Sequence, residues 1–271
     1  QAARVRPGVA AAGAAAAGAA TAGDAPAQQP HGVAVAACWK AVWQASVPNH
    51  IRVFAYRLLH AALPVNALRA CRYSLQRCDA WCLQCTSVPG QPRSLETYSH
   101  LFVQCPTYRP AVEWLARLWD AISGHRPPLE AAVLVADDPA AHWQHRPQGA
   151  KHQLWTALRL TLLYHVWAAS RTQHMEQRSA AAVVRAVIAS ISREISHQFT
   201  LQQLQHSCAS VPQRLLRRLD PGGGTTHFAA VWEDSGLVRV SGPTSHPRIE
   251  VLLSVSFPVA APAMAAARLD D

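Results

Sequence analysis

Four residues of the types that bind metal ions lie between Cys82 and Cys105, and they constrain the fold more than any other feature. Cys82 and Cys85 form a C-x2-C pair, and after a spacer of fourteen residues His100 and Cys105 form an H-x4-C pair. Three thiolates and one imidazole complete a tetrahedral shell and leave no position for a water molecule. The spacing therefore predicts one structural Zn²⁺ and no hydrolytic metal.

Two features around these residues leave alternatives open. Cys78 lies four residues before Cys82 and competes with it as a ligand, and the four residues could also be reduced thiols beside an incidental imidazole. The spacer contains the turn-rich run from Val88 to Pro92. Because a longer loop adds little closure entropy, we expect Thr86–Ser94 to be exposed and to leave the ligands in place.

The residues that flank the Cys/His set carry a family resemblance. The chain has W-K-A-V-W-Q-A-S-V-P-N-H-I-R-V-F-A-Y-R-L-L-H-A-A-L-P over residues 39–64, then W-C-L-Q-C, E-T-Y-S-H-L-F-V-Q-C-P and Trp114. This pattern resembles the zinc-binding domain that follows the polymerase in non-LTR (LINE-type) retrotransposon reverse transcriptases. The resemblance covers about residues 38–122, with Tyr56 where Trp is usual and a longer spacer after Cys85.

The resemblance implies a function for the chain. It implies a nucleic-acid-binding portion of such an enzyme, without the catalytic polymerase core, that helps to hold template RNA or target DNA. The polymerase part of the same polyprotein is then a further expected partner. The sequence begins with Gln1, which fits a piece of a longer polyprotein, and a weaker similarity continues through Leu154–Arg171.

The charge of the chain favours a polyanionic partner. Its net charge is +9, and residues 38–126 hold ten Arg and Lys against four acidic residues. A basic balance around a zinc module is typical of proteins that bind a phosphate backbone, RNA or DNA. A solvated basic surface is the alternative. The candidate phosphate contacts are Arg52, Arg57, Arg69, Arg72 and Arg77.

Two further groups could contact nucleic acid. Trp81 and Tyr98 flank the predicted ligands, and they either stack on unpaired bases or cover the zinc core. Arg214, Arg217 and Arg218 form a second basic cluster, for which a solvated helix end is the alternative.

The cysteines and the apolar segments indicate an intracellular protein. Seven cysteines are an odd number without the regular spacing of a disulfide framework, which favours a reducing compartment, the nucleus or the cytoplasm. The apolar run Leu154–Ala169 is shorter than the ~20 residues of a membrane span and contains Arg159 and His165. We expect a helix buried on most faces, with His165 as a satisfied core or interface residue, and no membrane contact.

Composition divides the chain into five regions and predicts a mainly α fold. A zinc-stapled helical module is followed by a helical region and a small antiparallel β element. The first region is an Ala/Gly-rich tail that we expect to be disordered, although its basic start also resembles a transit peptide. The regions are 1–36 (tail), 37–126 (zinc-binding domain), 127–220 (helical region), 221–258 (β element) and 259–271 (frayed terminus).

Hydrophobic periodicity places the individual elements. Apolar residues at helical spacing begin near Cys38 and predict a helix that starts at Pro48 and is ended by Leu63-Pro64, with one stripe of Ile51, Phe54, Ala55, Leu58, Leu59 and Ala62. Pro106 is expected to open a helix that ends near Gly124. Further helices are predicted over about 66–73, 151–171 and 178–206, and strands over 226–233, 237–241 and 249–257.

No catalytic set is evident in the sequence, so we expect a non-enzymatic chain. Reverse transcription requires paired carboxylates that hold two metal ions. Asp137-Asp138 lacks a preceding aromatic strand, and Asp270-Asp271 is the terminus. A second metal site at His142 and His145 has no thiol or carboxylate partner at a matching spacing.

Overall fold

The computed structural model describes residues 32–72, 80–86, 93–172, 179–207, 228–241 and 248–253. This part of the chain is mainly α-helical, with one two-stranded antiparallel sheet near its C-terminal end. The predicted fold class is therefore confirmed. Two short π-helical turns supplement the α-helices, one within the Cys/His segment at His100–Gln104 and one at Ala229–Glu233.

The helices follow one another with short connections through most of the chain. The predicted basic cluster of Arg214, Arg217 and Arg218 lies outside the described residues. In chain order the α-helices are α1 (Gly32–Gln44), α2 (Asn49–Leu59), α3 (Asn66–Arg72), α4 (Leu83–Thr86), α5 (Arg109–Ser123), α6 (Ala131–Leu134), α7 (Gly149–Arg171) and α8 (Ala180–Ser207).

Helix α2 forms as its periodicity predicts. Pro48 directly precedes the helix, and its carbonyl oxygen accepts the first turn's N–H groups from Ile51 and Arg52. The buried residues are Ile51, Phe54, Ala55 and Leu58. The predicted stripe also included Leu59 and Ala62, but Leu59 is only half-buried and Ala62 is exposed beyond the end of the helix. The helix ends before Ala61, which has a positive φ of 49°.

Helix α5 begins later than predicted. Pro106 precedes a turn rather than opening the helix, and the first helical turn holds Pro110 instead. The turn is closed by the Cys105 carbonyl, which accepts the N–H groups of Tyr108 and Arg109. Gly124 ends the helix with a φ of 75°, a left-handed conformation that glycine adopts without a Cβ clash.

One hydrophobic core runs through the described chain, and it includes residues on both sides of the predicted boundary at 126. Phe54 on α2 packs edge to face against Phe102, with ring centroids 6.4 Å apart. The α2 stripe thus packs against the segment around His100. Helix α7 forms the centre of this core, and Trp155 on it packs against Trp119 and Trp143.

The C-terminal part differs from the prediction at one element. The strand expected at 226–233 is wrong, because Phe228 is helical and residues 229–233 form the second π-helical turn. Phe228, Val231 and Trp232 are buried, and their spacing of three and four is helical. A short apolar run does not distinguish a strand from a buried helical turn by periodicity alone.

The remaining two predicted strands are present, but the second is shorter than predicted. Strand β1 (Val238–Ser241) pairs antiparallel with β2 (Arg248–Val251), and Val240 lies opposite Ile249. Residues 252 and 253 were predicted as strand but follow the end of β2, and residues 254–257 lie outside the described chain. A turn at 234–236 joins the second π-helical turn to β1.

Candidate metal centre

Cys82, Cys85, His100 and Cys105 converge on one point in the core. Cys82 lies just before α4 and Cys85 lies within it, while His100 begins the first π-helical turn and Cys105 follows that turn. Their exposed fractions are 0%, 2%, 6% and 1%. The donor atoms of all four residues lie within 4.8 Å of one another. The four side chains are therefore positioned to bind one metal ion.

The individual distances fit a tetrahedral site. Cys105 Sγ lies 3.9 Å from Cys82 Sγ and 3.8 Å from Cys85 Sγ, and Cys85 Sγ lies 3.3 Å from His100 Nε2. Metal–sulfur bonds of about 2.3 Å in a tetrahedron separate two sulfurs by ~3.8 Å. Complete burial of the four donors leaves no open coordination position, so the geometry suits a structural ion rather than a catalytic one.

A β-bridge holds the two halves of the site together. Trp81 and Leu95 pair antiparallel. On either side of this bridge, Cys82 N–H donates to the Ser94 carbonyl at 2.8 Å, and Glu96 N–H donates to the Ala80 carbonyl at 2.9 Å. The bridge closes the spacer at its base, which explains how a long spacer leaves the four ligands in register.

The spacer itself is only partly described. Arg93 is exposed and Ser94 is half-buried because it belongs to the bridge. Residues 87–92 and the competing Cys78 lie outside the described chain.

The first π-helical turn orients the second pair of ligands. Cys105 N–H donates to the His100 carbonyl at 2.6 Å, an i to i+5 bond that is wider than an α-helical one. His100 N–H donates to Thr97 Oγ1 at 3.1 Å, which supplies the first turn with a side-chain acceptor. The wider turn brings residues five apart to the same point.

The pKa values of the thiols indicate what a bound cation would contribute to the site. Cys82 and Cys105 share a hydrogen bond in which Cys82 keeps the proton. This bond and burial together raise the pKa of Cys82 to about 12. The same bond lowers the pKa of Cys105. Burial and the neighbouring Cys82 raise the pKa of Cys85 to about 11. A bound metal ion must therefore displace protons from the thiols, and it supplies the positive charge that stabilises three buried thiolates.

Backbone donors assist the sulfurs. The N–H of Cys85 points to the Cys82 sulfur, and the N–H of Thr107 points to the Cys105 sulfur. Each of these bonds lowers the pKa of its thiol, because a hydrogen bond to the charged form favours that form. The donor to Cys105 belongs to the turn that precedes α5.

Glu96 is a structural residue of the site that the sequence does not single out as such. It is 1% exposed, and its carboxylate accepts bonds from the backbone N–H of Asn66 at 2.9 Å, from Asn66 Nδ2 at 3.2 Å and from Arg171. This network joins α3, the ligand segment and the end of α7. In the sequence, Glu96 stands out only as a carboxylate four residues before His100. That position does not indicate that Asn66 and Arg171 are its partners.

The predicted phosphate contacts have different surroundings. Arg57 and Arg69 are exposed. Arg52 is half-buried; its guanidinium lies 5.3 Å from the centroid of the Trp43 ring and donates to the Ala45 carbonyl. The side chain of Arg72 and all of Arg77 lie outside the described structure. The clustering of all five residues on one face therefore stays a prediction.

The two aromatic residues beside the ligands are built into the fold. Tyr98 stacks on Phe102 with centroids 6.3 Å apart, and its hydroxyl donates to the Leu63 carbonyl at 2.9 Å. Trp81 is half-buried in the β-bridge. These contacts favour the interpretation that both rings cover the metal centre.

The remaining histidines supply no second centre. Within the described ranges, the Cys/His set is the one group of three or more potential ligands. His145 stacks on His125 with centroids 3.8 Å apart. His165 lies beside a cavity between α7 and α8, and its Nε2 has no partner among the described residues. Of the two roles expected for His165, that of a satisfied core residue does not fit its Nε2, while that of an interface residue stays a prediction.

Comparison with known proteins adds no relatives: no family model, curated protein or solved structure matches this chain. Among the described residues, no helix combines the length and the apolar character that a membrane crossing demands.

Proposed function

We propose that this chain is a zinc-stapled helical module that binds nucleic acid, and that it corresponds to the zinc-binding portion of a non-LTR retrotransposon reverse transcriptase. The observation that carries the proposal is the convergence of Cys82, Cys85, His100 and Cys105 in one closed site. These residues belong to the same segments on which the family resemblance rests.

Zinc is the ion that best suits this donor set. Three thiolates with one imidazole in a tetrahedron are soft ligands, and they favour Zn²⁺ over Mg²⁺ or Ca²⁺, which prefer oxygen. Cys82, Cys85 and Cys105 form no disulfide, and a reducing compartment, the nucleus or the cytoplasm, would keep these thiols available as ligands.

Basic charge supports a nucleic-acid partner. Six of the nine net positive charges belong to residues 38–126, and Arg57 and Arg69 are exposed on α2 and α3. Contacts of this kind hold template RNA or target DNA by its phosphates and give little sequence preference. The module thus contributes binding rather than catalysis, next to the polymerase part of the same polyprotein.

A structural or protein-interaction module is the second candidate function. The observation that favours it is Arg52, which is engaged with Trp43 and the Ala45 carbonyl and so is already part of the fold. In that case the zinc ion holds the helices together and the basic charge is only solvated.

A titration at several salt concentrations separates the two functions. Zinc-loaded protein is titrated into labelled single-stranded RNA and duplex DNA of equal length. Phosphate binding makes log affinity fall linearly with log salt, and Arg57→Ala should lower that slope by roughly 1. Arg185→Ala, at an exposed position on α8, is the matched control. Absence of binding to both nucleic acids at low salt would leave the interaction module as the function.

A further inference from the structure

Helices α1 and α2 present solvent-exposed aromatic side chains. Trp43 is 42% exposed and Tyr56 is 49% exposed, and neither belongs to the hydrophobic core. Trp39 lies between them, with ring centroids 5.7 Å from Trp43 and 5.4 Å from Tyr56. His60 continues the row, 4.4 Å from Tyr56. We call these four rings the α1–α2 aromatic surface.

Packing within the protein accounts for only part of this surface. Trp39 is half-buried against the core and joins α1 to α2. Trp43 and Tyr56 contact Trp39 edge to face, at interplanar angles of 75° and 70°, and nearly half of each ring remains in solvent. Exposed apolar area of this kind, gathered in one row, is typical of a binding surface.

Cationic groups accompany the rings. The guanidinium of Arg52 lies over the Trp43 ring, and exposed Arg57 directly follows Tyr56 on α2. Lys40, which follows Trp39 in the sequence of α1, is also exposed. Positive charge beside aromatic faces is the combination that proteins use to bind single-stranded nucleic acid.

The stretch of sequence that contains α1 and α2 has no acidic residue. Between Asp24 and Asp79 the chain has six Arg and Lys and no Asp or Glu. Helix α7, which packs behind α1 and α2, has no acidic residue either. Helices α1 and α2 therefore carry positive charge and no acidic residue of their own. Asp137, which lies beside Cys38 of α1, is paired with Arg146 and Arg159, so the charge on this side favours a polyanionic ligand.

We propose that the α1–α2 aromatic surface stacks the unpaired bases of a single-stranded RNA or DNA segment, and that Lys40 and Arg57 contact its phosphates. This inference rests on the proposed nucleic-acid function and identifies the form of the ligand and the place where it binds. The faces of bases in a duplex are covered by their neighbours, so only an unpaired strand offers them to Trp43 and Tyr56. Stacking accepts every base, and little sequence preference follows.

The test measures affinity and salt slope for a labelled 20-nucleotide oligo(U), oligo(dT) and a duplex of the same length. Trp43→Leu and Tyr56→Leu remove a ring but keep apolar volume. Each should weaken single-strand binding roughly 5- to 100-fold and leave the salt slope unchanged, because no charge is removed. Trp43→Phe and Tyr56→Phe keep a ring and should retain most of the affinity.

Two controls separate loss of stacking from loss of fold. Val240→Ala, at an exposed apolar position on β1 (39% exposed), should bind as tightly as the parent protein. Metal content and melting temperature are measured for every variant. If a Leu variant unfolds, Lys40→Ala still tests the surface: it should lower the salt slope for single strands by roughly 1, and an unchanged slope would contradict the proposal.

The outcomes distinguish the two proposals. Binding of the parent protein with no loss in either Leu variant would overturn the aromatic surface and leave the proposed function standing. Equal affinity for the duplex and the single strands would likewise overturn it. If the parent protein binds none of the three probes, both proposals fail; a concentration-dependent dimer that the Leu variants abolish would then identify a second copy as the occupant.

Discussion

The backbone N–H of Asn66 donates to Glu96 Oε1 at 2.9 Å, across thirty residues of sequence, and thereby ties the start of α3 to the ligand segment. Arg171, the last residue of α7, is ion-paired with the same carboxylate. A buried carboxylate with three donors stabilises a fold only while all partners are present, because an unpaired buried charge is costly.

Glu96→Ala should therefore destabilise the protein by roughly 3–5 kcal/mol, since it leaves Arg171 and the Asn66 N–H without their acceptor. Urea unfolding of the metal-loaded protein measures the loss. Glu113→Ala is the matched control, because Glu113 pairs with Arg109 and Arg126 at the surface and such pairs contribute at most about 1 kcal/mol. Equal losses in the two variants would contradict the role assigned to Glu96.

Cys85→Ser should abolish binding of the metal ion and lower the melting temperature. The purified parent protein should contain one zinc per chain by metal analysis, and the variant should contain none. Cys38→Ser is the control, because Cys38 is also buried, at 4% exposure, but its sulfur lies 3.3 Å from the Ala136 carbonyl, outside the site. Loss of metal from the Cys38 variant would refute the assigned ligand set.

Deletion of Val88–Gln91 should leave metal binding intact. The bridge between Trp81 and Leu95 fixes both ends of the spacer, and shortening a loop changes its closure entropy little. Metal content and affinity for a competing chelator are measured in the deletion variant. Loss of the metal ion from the deletion variant would contradict the role assigned to the bridge.

Acid should destabilise the protein through His165. Burial lowers the pKa of His165 to about 4, from an ordinary value of 6.5. Between these values the unfolded chain binds a proton that the folded chain does not, so stability falls as pH falls from about 6.5 towards 4. Above pH 7 the residue is neutral in both states and has no such effect.

The measurement is the free energy of unfolding of His165→Leu and the parent protein at pH 7.5 and pH 5. The difference between the two pH values should be smaller in the variant. His142→Leu, at an exposed position, should keep the parent's pH dependence. A pH dependence unchanged by His165→Leu would contradict the assignment.

Local patterns in the sequence predicted the long helices and the four candidate ligands, although they missed the helical turn at 229–233. The stripe of Ile51, Phe54 and Leu58 repeats with the helical period, and burial of one helix face follows from that period alone. Cys82, Cys85, His100 and Cys105 were identified by donor chemistry and by short spacings within each pair. Both kinds of inference concern residues close in sequence, where backbone geometry leaves few alternatives.

The tertiary structure decided what depends on residues far apart in the chain. The turn at 229–233 is helical because Trp232 packs in the core and its indole N–H donates to Gln198 Oε1 at 2.8 Å, a partner that local periodicity does not indicate. Arg171 forms an ion pair with Glu96, which lies 75 residues away in the sequence. The row of rings from Trp43 to Tyr56 likewise exists only because α1 lies on α2. Sequence spacing determines which atoms of one helix share a face; which faces then meet depends on how the whole core packs.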